Sequence, residues 1–314
     1  MAFAATRAAS AVTQLSQEFI TERGETVNVP LAGTHGSGAR VAESGSFTPS
    51  DETITNVALG AYKAATKIIT SEELRTDEAI DVDAYLASEF GGRIGALAEN
   101  AFTVGDGSGK PLGLVTAGNG ITVVTAATGS VTSYRLADLK TVYKALPQAY
   151  RRTASWLIGG DDFAELGSLA DTAGALVLPS LQFDPPSLFG RPVLVSGDLP
   201  APAANAKSLV FGDFRLGYGV RRVREMRLIR QEEIHSDTGQ VGFRMFARLD
   251  GRPLLTDALR IPTRPRNERR AHAWIPRRCC SSDRYSPGCG WESGAFATSV
   301  PLSVLWFSRT SPYT

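Results

Sequence analysis

Ser71 to Leu114 reads SEELRTDEAIDVDAYLASEFGGRIGALAENAFTVGDGSGKPLGL. Val82, Leu86, Phe90, Ile94, Leu97 and Phe102 recur at steps of three, four or five. Most of them therefore fall on one side of a 3.6-residue period, and the stretch predicts a long amphipathic helix running into a glycine turn. Gly91, Gly92 and Gly95 lie inside it, where each costs up to about 1 kcal/mol relative to alanine. Adjacent glycines are a place for a helix to bend; close packing of the helix against a sheet is the other reading. Glu72, Glu73, Asp77, Glu78, Asp81 and Asp83 crowd the predicted helix start, where the macrodipole favours negative charge.

The turn Gly105-Asp106-Gly107-Ser108-Gly109-Lys110 invites comparison with a phosphate loop. A Walker loop needs Gly-x-x-x-x-Gly-Lys-Ser/Thr, so that backbone amides wrap the phosphates and a hydroxyl reaches magnesium. Here Val104 stands at the first glycine position and Pro111 at the hydroxyl position. The turn also follows a helix where the motif opens one. The crowded acids show no sign of converging in a cleft, as acid and base work requires. Asp161, Asp162 and Glu165 read as the capped start of a second helix rather than as metal ligands. His35, His235 and His272 are far apart, and Cys279, Cys280 and Cys289 lack the paired Cys-x2-Cys spacing of a zinc site. No catalytic, cofactor-binding or metal residue is assigned.

A chain of 314 residues can hold two lobes with a real core, and its formal charge of +1 demands no nucleic-acid partner. No run of 18 apolar residues exists, and Met1-Ala2-Phe3-Ala4-Ala5 lacks a secretory pattern. A soluble, intracellular product without a membrane partner is expected.

Elsewhere the pattern is mixed. Residues 1–24 read as an arm with a short helix over Val12 to Phe19. Val27, Val29 and Leu31 alternate with polar residues, and Ile54 to Leu59 resumes a strand, so residues 25–60 predict a long hairpin with a soft tip. Such a hairpin is marginal alone and needs something to rest on. Residues 132–215 alternate helix and strand. Residues 218–250 predict a second hairpin turning at Ser236-Asp237-Thr238-Gly239, its first strand carrying Arg221, Arg222, Arg224, Arg227 and Arg230. Arginines on such a strand more often pair with carboxylates than bind phosphate. Residues 260–314 hold nine arginines, no lysine and all three cysteines, and no period survives. This tail predicts disorder. It reads either as a tail of its own design or as sequence translated out of frame or joined by rearrangement.

The Ser71–Leu114 segment resembles the spine helix and following loop of the Hong Kong 97-type major capsid proteins of tailed bacteriophages. Pro49 to Leu74 matches that family's return strand, and the pattern reappears at Trp156-Leu157-Ile158, Leu188 to Val193, Val210 to Phe214 with Gly217-Tyr218, Thr238 to Phe243, and Arg248 to Gly251. Together these phrases span roughly residues 15 to 260 in the family's order.

The resemblance implies an α+β subunit of the Hong Kong 97 capsid fold, with long spine helix, extended hairpin loop, and peripheral and axial lobes. Its segments would be 1–24 arm, truncated relative to the family; 25–60 extended loop; 61–131 peripheral domain with spine helix; 132–215 axial domain; 216–260 peripheral return strands; and 261–314 an atypical tail. The function implied is self-assembly through pentamers and hexamers into an icosahedral head around double-stranded DNA. Portal, scaffold and maturation protease would be further partners, with assembly in the host cytoplasm and residence in the virion. No cofactor is implied. Candidate contacts between subunits are Val27, Val29, Arg40, Asn56, Glu72, Glu73, Asp77, Glu78, Arg221, Arg222, Arg224 and Arg227, and Gly91, Gly92 and Gly95 would form a bend. Asn56 stands where some relatives place a cross-linking lysine, so no covalent lock is expected. An encapsulin-like compartment shell and a small-molecule enzyme using the Gly105–Lys110 loop remain as alternatives.

Overall fold

The computed structural model describes residues 10–34, 53–71, 82–126, 134–170, 173–224 and 226–264, with Arg40, Ser46 and Glu73 as isolated positions. The hairpin tip, most of the acidic stretch (including Glu72, Asp77 and Glu78) and the tail from Pro265 onward lie outside the described residues. The strands are β1 (Gln17–Thr21), β2 (Val27–Thr34), β3 (Thr53–Leu59), β4 (Tyr62–Ser71), β5 (Thr122–Thr125), β6 (Ser155–Gly159), β7 (Ser187–Leu188), β8 (Arg191–Ser196), β9 (Leu209–Gly212), β10 (Tyr218–Val223), β11 (Arg227–Gln231), β12 (Gln240–Pro253) and β13 (Leu259–Thr263). The main helices are α1 (Ala11–Leu15), α2 (Val82–Val104), α3 (Leu136–Ala145) and α4 (Gly160–Gly167).

The long helix α2 is held by its apolar row. Leu86, Phe90, Ile94, Ala98 and Phe102 recur every fourth residue and are almost wholly buried against β4 and β12. Truncating Phe90 to alanine in such a site costs about 3–5 kcal/mol. Leu97, expected in the row, is 47% exposed. One residue is about 100° of helix rotation, so once Ala98 continues the row its neighbour must point away. Ser71 closes strand β4, α2 is described from Val82, and between them only Glu73 is described.

β12 is the centre of the first sheet. β4 runs antiparallel along one edge, and β11 and β10 share the other, β11 opposite Gly242–Phe246 and β10 opposite Leu249–Pro253. Val241, Phe243, Met245, Ala247 and Leu249 all point into the core under α2. The expected 218–250 hairpin is therefore present, with its turn on a 3-10 segment, Glu233–Thr238, and its first strand broken between Val223 and Arg227. β1 adds parallel to β10. This corrects the helix expected through Phe19: the exposed edge of β10 offers backbone partners that end α1 at Leu15 and draw Gln17–Thr21 into the sheet.

The second sheet has the order β5-β13-β9-β6-β8-β7. Both its faces are covered, so its inner strands read as continuous apolar runs. Trp156, Ile158, Leu209 and Phe211 face the cluster that includes Leu139, Val142 and Leu166 of α3 and α4. Leu157, Val210, Leu259 and Ile261 face the cluster of α2 and the long sheet. Trp156 stacks on Phe211 at 4.0 Å between ring centres and donates its indole N–H to the Leu188 carbonyl at 3.1 Å.

Two expected boundaries fail here. β5 lies within the segment assigned to the spine-helix domain, yet pairs with β13 in the second sheet. Residues 261–263 are not tail: they belong to β13, between β5 and β9, with Ile261 fully buried. A parallel pair such as β5 and β13 must join distant segments, which local pattern does not reveal.

Candidate assembly surfaces

β2 and β3 form a two-stranded ribbon in register from Val27↔Leu59 outward. Directly opposed residues share a face, so Val27, Val29 and Leu31 lie with Leu59, Val57 and Thr55, while Asn56 lies opposite Pro30 on the other face. Leu59 is buried at the root, where β3 touches β12, but Val27, Val29, Leu31 and Val57 are only half-buried. Ile54, Asn56 and Arg40 are exposed. The ribbon thus carries an apolar face wider than its own subunit covers among the described residues.

The arginine stripe divides. Arg221 is 1% exposed and committed within the subunit: it donates to the carbonyls of Leu59, Gly60 and Arg23 and to Thr21 Oγ1. It is therefore no free contact for a neighbour. Arg222 points to the opposite face of β10 and pairs with Glu18 at 2.5 Å. Arg224 lies 3.6 Å from Glu22 in an exposed pair, Arg230 meets Glu232, and Arg227 is exposed. Strand alternation, invisible without knowing which edge is covered, separates Arg221 from the rest.

Another set of cations shares one face. Lys63 and Lys67 of β4 stand opposite Arg248 and Arg244 of β12, and Arg227 of β11 opposes Phe246 between them. All five are exposed, and Lys63 lies 4.6 Å from the Phe246 ring centre. Sequence reading missed this grid because its members come from separated strands.

The glycine turn closes the long helix rather than a ligand site. Gly105 donates to the Ala101 carbonyl and Gly113 to that of Gly105. A Cβ at Gly105 would stand 2.3 Å from the carbonyl oxygens of Ala101 and Pro111, so the backbone approach itself demands glycine. The turn lies at the negative end of the helix dipole, where phosphate is disfavoured. Asp106 accepts the Ser108 N–H and pairs with Lys110 at 3.2 Å, and the Ser108 bond, then Lys110, hold its carboxyl below the ordinary value. An open groove of about 270 Å³ beside the turn is lined largely by Leu97, Ala101, Val104, Pro111 and Leu249. No cluster of three His, Cys, Asp or Glu able to hold a metal occurs among the described residues.

The phage capsid family model matches residues 2–263. The chain belongs to the phage capsid family. Among solved structures, the capsid of an empty GTA particle computed with C5 symmetry is similar at 23% identity and TM-score 0.72, covering 82% of this chain and 90% of that one. A chain of Microbacterium phage Oxtober96 (15% identity, TM-score 0.63, 81% and 91% covered) and one of Gordonia phage Cozz (15%, 0.61, 82% and 87%) are similar in fold. No curated protein matches the sequence. The fold is of the Hong Kong 97 type and the protein is a major capsid protein of an icosahedral head. The compartment-shell and enzyme alternatives are not favoured.

Within this capsid subunit, two buried polar centres went unread in the sequence. Glu99, on α2 and 4% exposed, accepts from Ser10 Oγ, the Val12 N–H and Ser196 Oγ, tying α1 and β8 to the long helix. Asp162 was read as a helix cap, but Gly159 is the N-cap and Asp162 is buried against the guanidinium of Arg264. Burial is the main cause raising the Asp162 carboxyl above its ordinary value. Arg264 also lies over the Tyr134 ring at 4.5 Å. Gly91 and Gly95 are buried in α2, whose helix runs unbroken from Val82 to Val104. A Cβ at Gly92 would meet nothing within 4 Å. Glu73 is exposed. No described helix is long and apolar enough to cross a membrane.

Proposed function

We propose that the subunit assembles through pentamers and hexamers into the head that encloses double-stranded DNA, and that the 25–60 ribbon lies across a neighbouring subunit. The half-covered apolar face of Val27, Val29, Leu31 and Val57 supports this reading. A two-stranded ribbon with an apolar side is stable only when another surface takes that side. One heterologous contact, repeated, closes rings. Because the long-sheet core holds α2 and the second sheet carries the other core, these would be the peripheral and axial lobes. The adjacent glycines Gly91 and Gly92, with Gly95 one turn on, support a place where the helix can bend. Portal, scaffold, maturation protease and DNA are partners proposed from family resemblance, and no enzymatic activity is proposed.

Deleting residues 32–50 from the full chain should leave the subunit folded and abolish shells in negative-stain electron microscopy. Normal shells from the deletion would remove the reading. Asn56 in the place of a cross-linking lysine adds a second expectation: shells should dissolve to monomers in hot detergent, and a reductant-resistant ladder would contradict it.

A further inference from the structure

Both ends of the ribbon meet at one side chain. Thr21 and Arg23 lie just before β2, Leu59 is the last residue of β3, and Gly60 follows it. The Arg221 guanidinium bonds all four: Nε donates to Thr21 Oγ1 at 3.2 Å, Nη2 to the Arg23 carbonyl at 2.9 Å, and Nη1 to the Leu59 and Gly60 carbonyls at 2.9 and 2.8 Å. Asp250, directly opposite Arg221 in the β10–β12 register and fully buried, accepts the Gly60 N–H with one oxygen and the Gly251 N–H with the other. Glycine occupies both roots. A Cβ at Gly24 would stand 2.5 Å from Arg248 Nη1, and one at Gly60 would stand 3.3 Å from Asp250 Oδ2.

This is more than packing requires. A planar guanidinium presents its donors in a fixed fork, so four acceptors on two separate chain segments are held at set angles to each other and to the sheet. A lysine could keep the charge but not that geometry. Burying a cation is costly, and here three of its four bonds run to backbone carbonyls at the entry to and exit from the ribbon.

We infer that Arg221, backed by Asp250, is the positioning residue of the ribbon: it sets the direction in which residues 25–60 leave the subunit and thereby which curvature the shell adopts. The inference rests on the proposed reach of the ribbon over a neighbour. Loosening the clamp lets one subunit present its ribbon at several angles, so rings join at several curvatures.

The test compares Arg221→Lys, Asp250→Asn and Arg222→Gln in the full chain, the last breaking the Arg222–Glu18 pair on the opposite face of the same strand. Particle diameters are measured by electron microscopy, and root opening by the rate of limited tryptic cleavage after Arg23. Arg221→Lys is expected to give particles of mixed diameter and about tenfold faster cleavage, the population change corresponding to about 1.4 kcal/mol. Arg222→Gln should give uniform particles and wild-type cleavage. If Arg221→Lys does not fold, Asp250→Asn, which retains an acceptor for Gly60, should show the same change more weakly. Uniform particles with wild-type cleavage in every folded variant of Arg221 and Asp250 would overturn the inference, as would equal disorder in Arg222→Gln. Normal shells after deleting residues 32–50 would instead overturn the reading on which it rests.

Discussion

The six-stranded sheet and the two-stranded ribbon are built from the same kind of apolar strand and differ in what covers them. In the sheet, every residue of Leu209–Gly212 and all but the first of Ser155–Gly159 are buried, because helices and the long-sheet core take both faces. In the ribbon, Val29 and Val57 are half-buried and Ile54 is 69% exposed. Fully burying a valine is worth about 1.5–3 kcal/mol. The sheet collects that within one chain, whereas on the proposed assembly the ribbon collects it only against a second copy.

The largest expected contrast follows from this. Trp156→Ala, removing a fully buried ring, should lower the stability of the dissociated subunit by about 3–5 kcal/mol in a denaturant titration. The double change Val29→Ser and Val57→Ser should cost the same subunit under about 1 kcal/mol, yet prevent shells. If the ribbon variant destabilises the subunit as much as the tryptophan variant, the contrast between the regions is gone.

Truncation sharpens where the second sheet ends. Removing the chain after Thr263 looks harmless on sequence alone, but it strips Arg264 from Asp162 and leaves a buried carboxylate unpaired, at a cost of about 3 kcal/mol. Ending after Arg264 should leave thermal stability unchanged. Equal melting temperatures for the two truncations would show that the pair contributes nothing.

Ser196→Ala tests the tie from β8 to α2 at Glu99. It should cost about 1–2 kcal/mol, as expected when a buried carboxylate loses one donor, without altering ribbon proteolysis. Faster cleavage after Arg23 in this variant would mean that the ribbon root is coupled to the second sheet.

The smallest effect concerns acid. Burial is the main cause raising the Asp250 carboxyl above its ordinary 3.8, against hydrogen bonds from Gly60 and Gly251 and the charges of Arg252 and Arg221 that lower it. The folded subunit then holds that proton more tightly than the unfolded chain. Its contribution to stability falls as pH rises from 3.8 through the raised folded value, and Asp162 has the same sign. Asp250→Asn should flatten that part of the stability profile while Asp162 continues to act. An unchanged slope would place the acid sensitivity at Asp162 alone.

Much of the architecture was legible in the sequence because it depends on local period. Four-residue steps from Leu86 to Ile94, alternation from Val241 to Leu249, and the apolar alternation on either side of residues 32–50 each marked an element correctly. The misses share a cause. Leu97 was placed in the row by spacing and Phe19 in a short helix, but Ala98 took the helix face and the edge of β10 took the chain around Phe19. The arginine stripe from Arg221 to Arg230 was one feature on paper and became a buried clamp and several surface pairs, because adjacent strand residues point to opposite faces.

By itself, the sequence determined the long helix, the ribbon, the central hairpin and the family, because periodicity and the order of short phrases survive without coordinates. Only the tertiary structure decided that β5 and β13 pair across more than a hundred residues, that Arg221 and Asp250 close the ribbon root, and that Arg264, just past β13, pairs with Asp162 of α4. Those depend on groups that are distant in sequence and become neighbours only when water is excluded between them, and a burial that no local pattern encodes turns an ordinary arginine or aspartate into a fixed point of the fold.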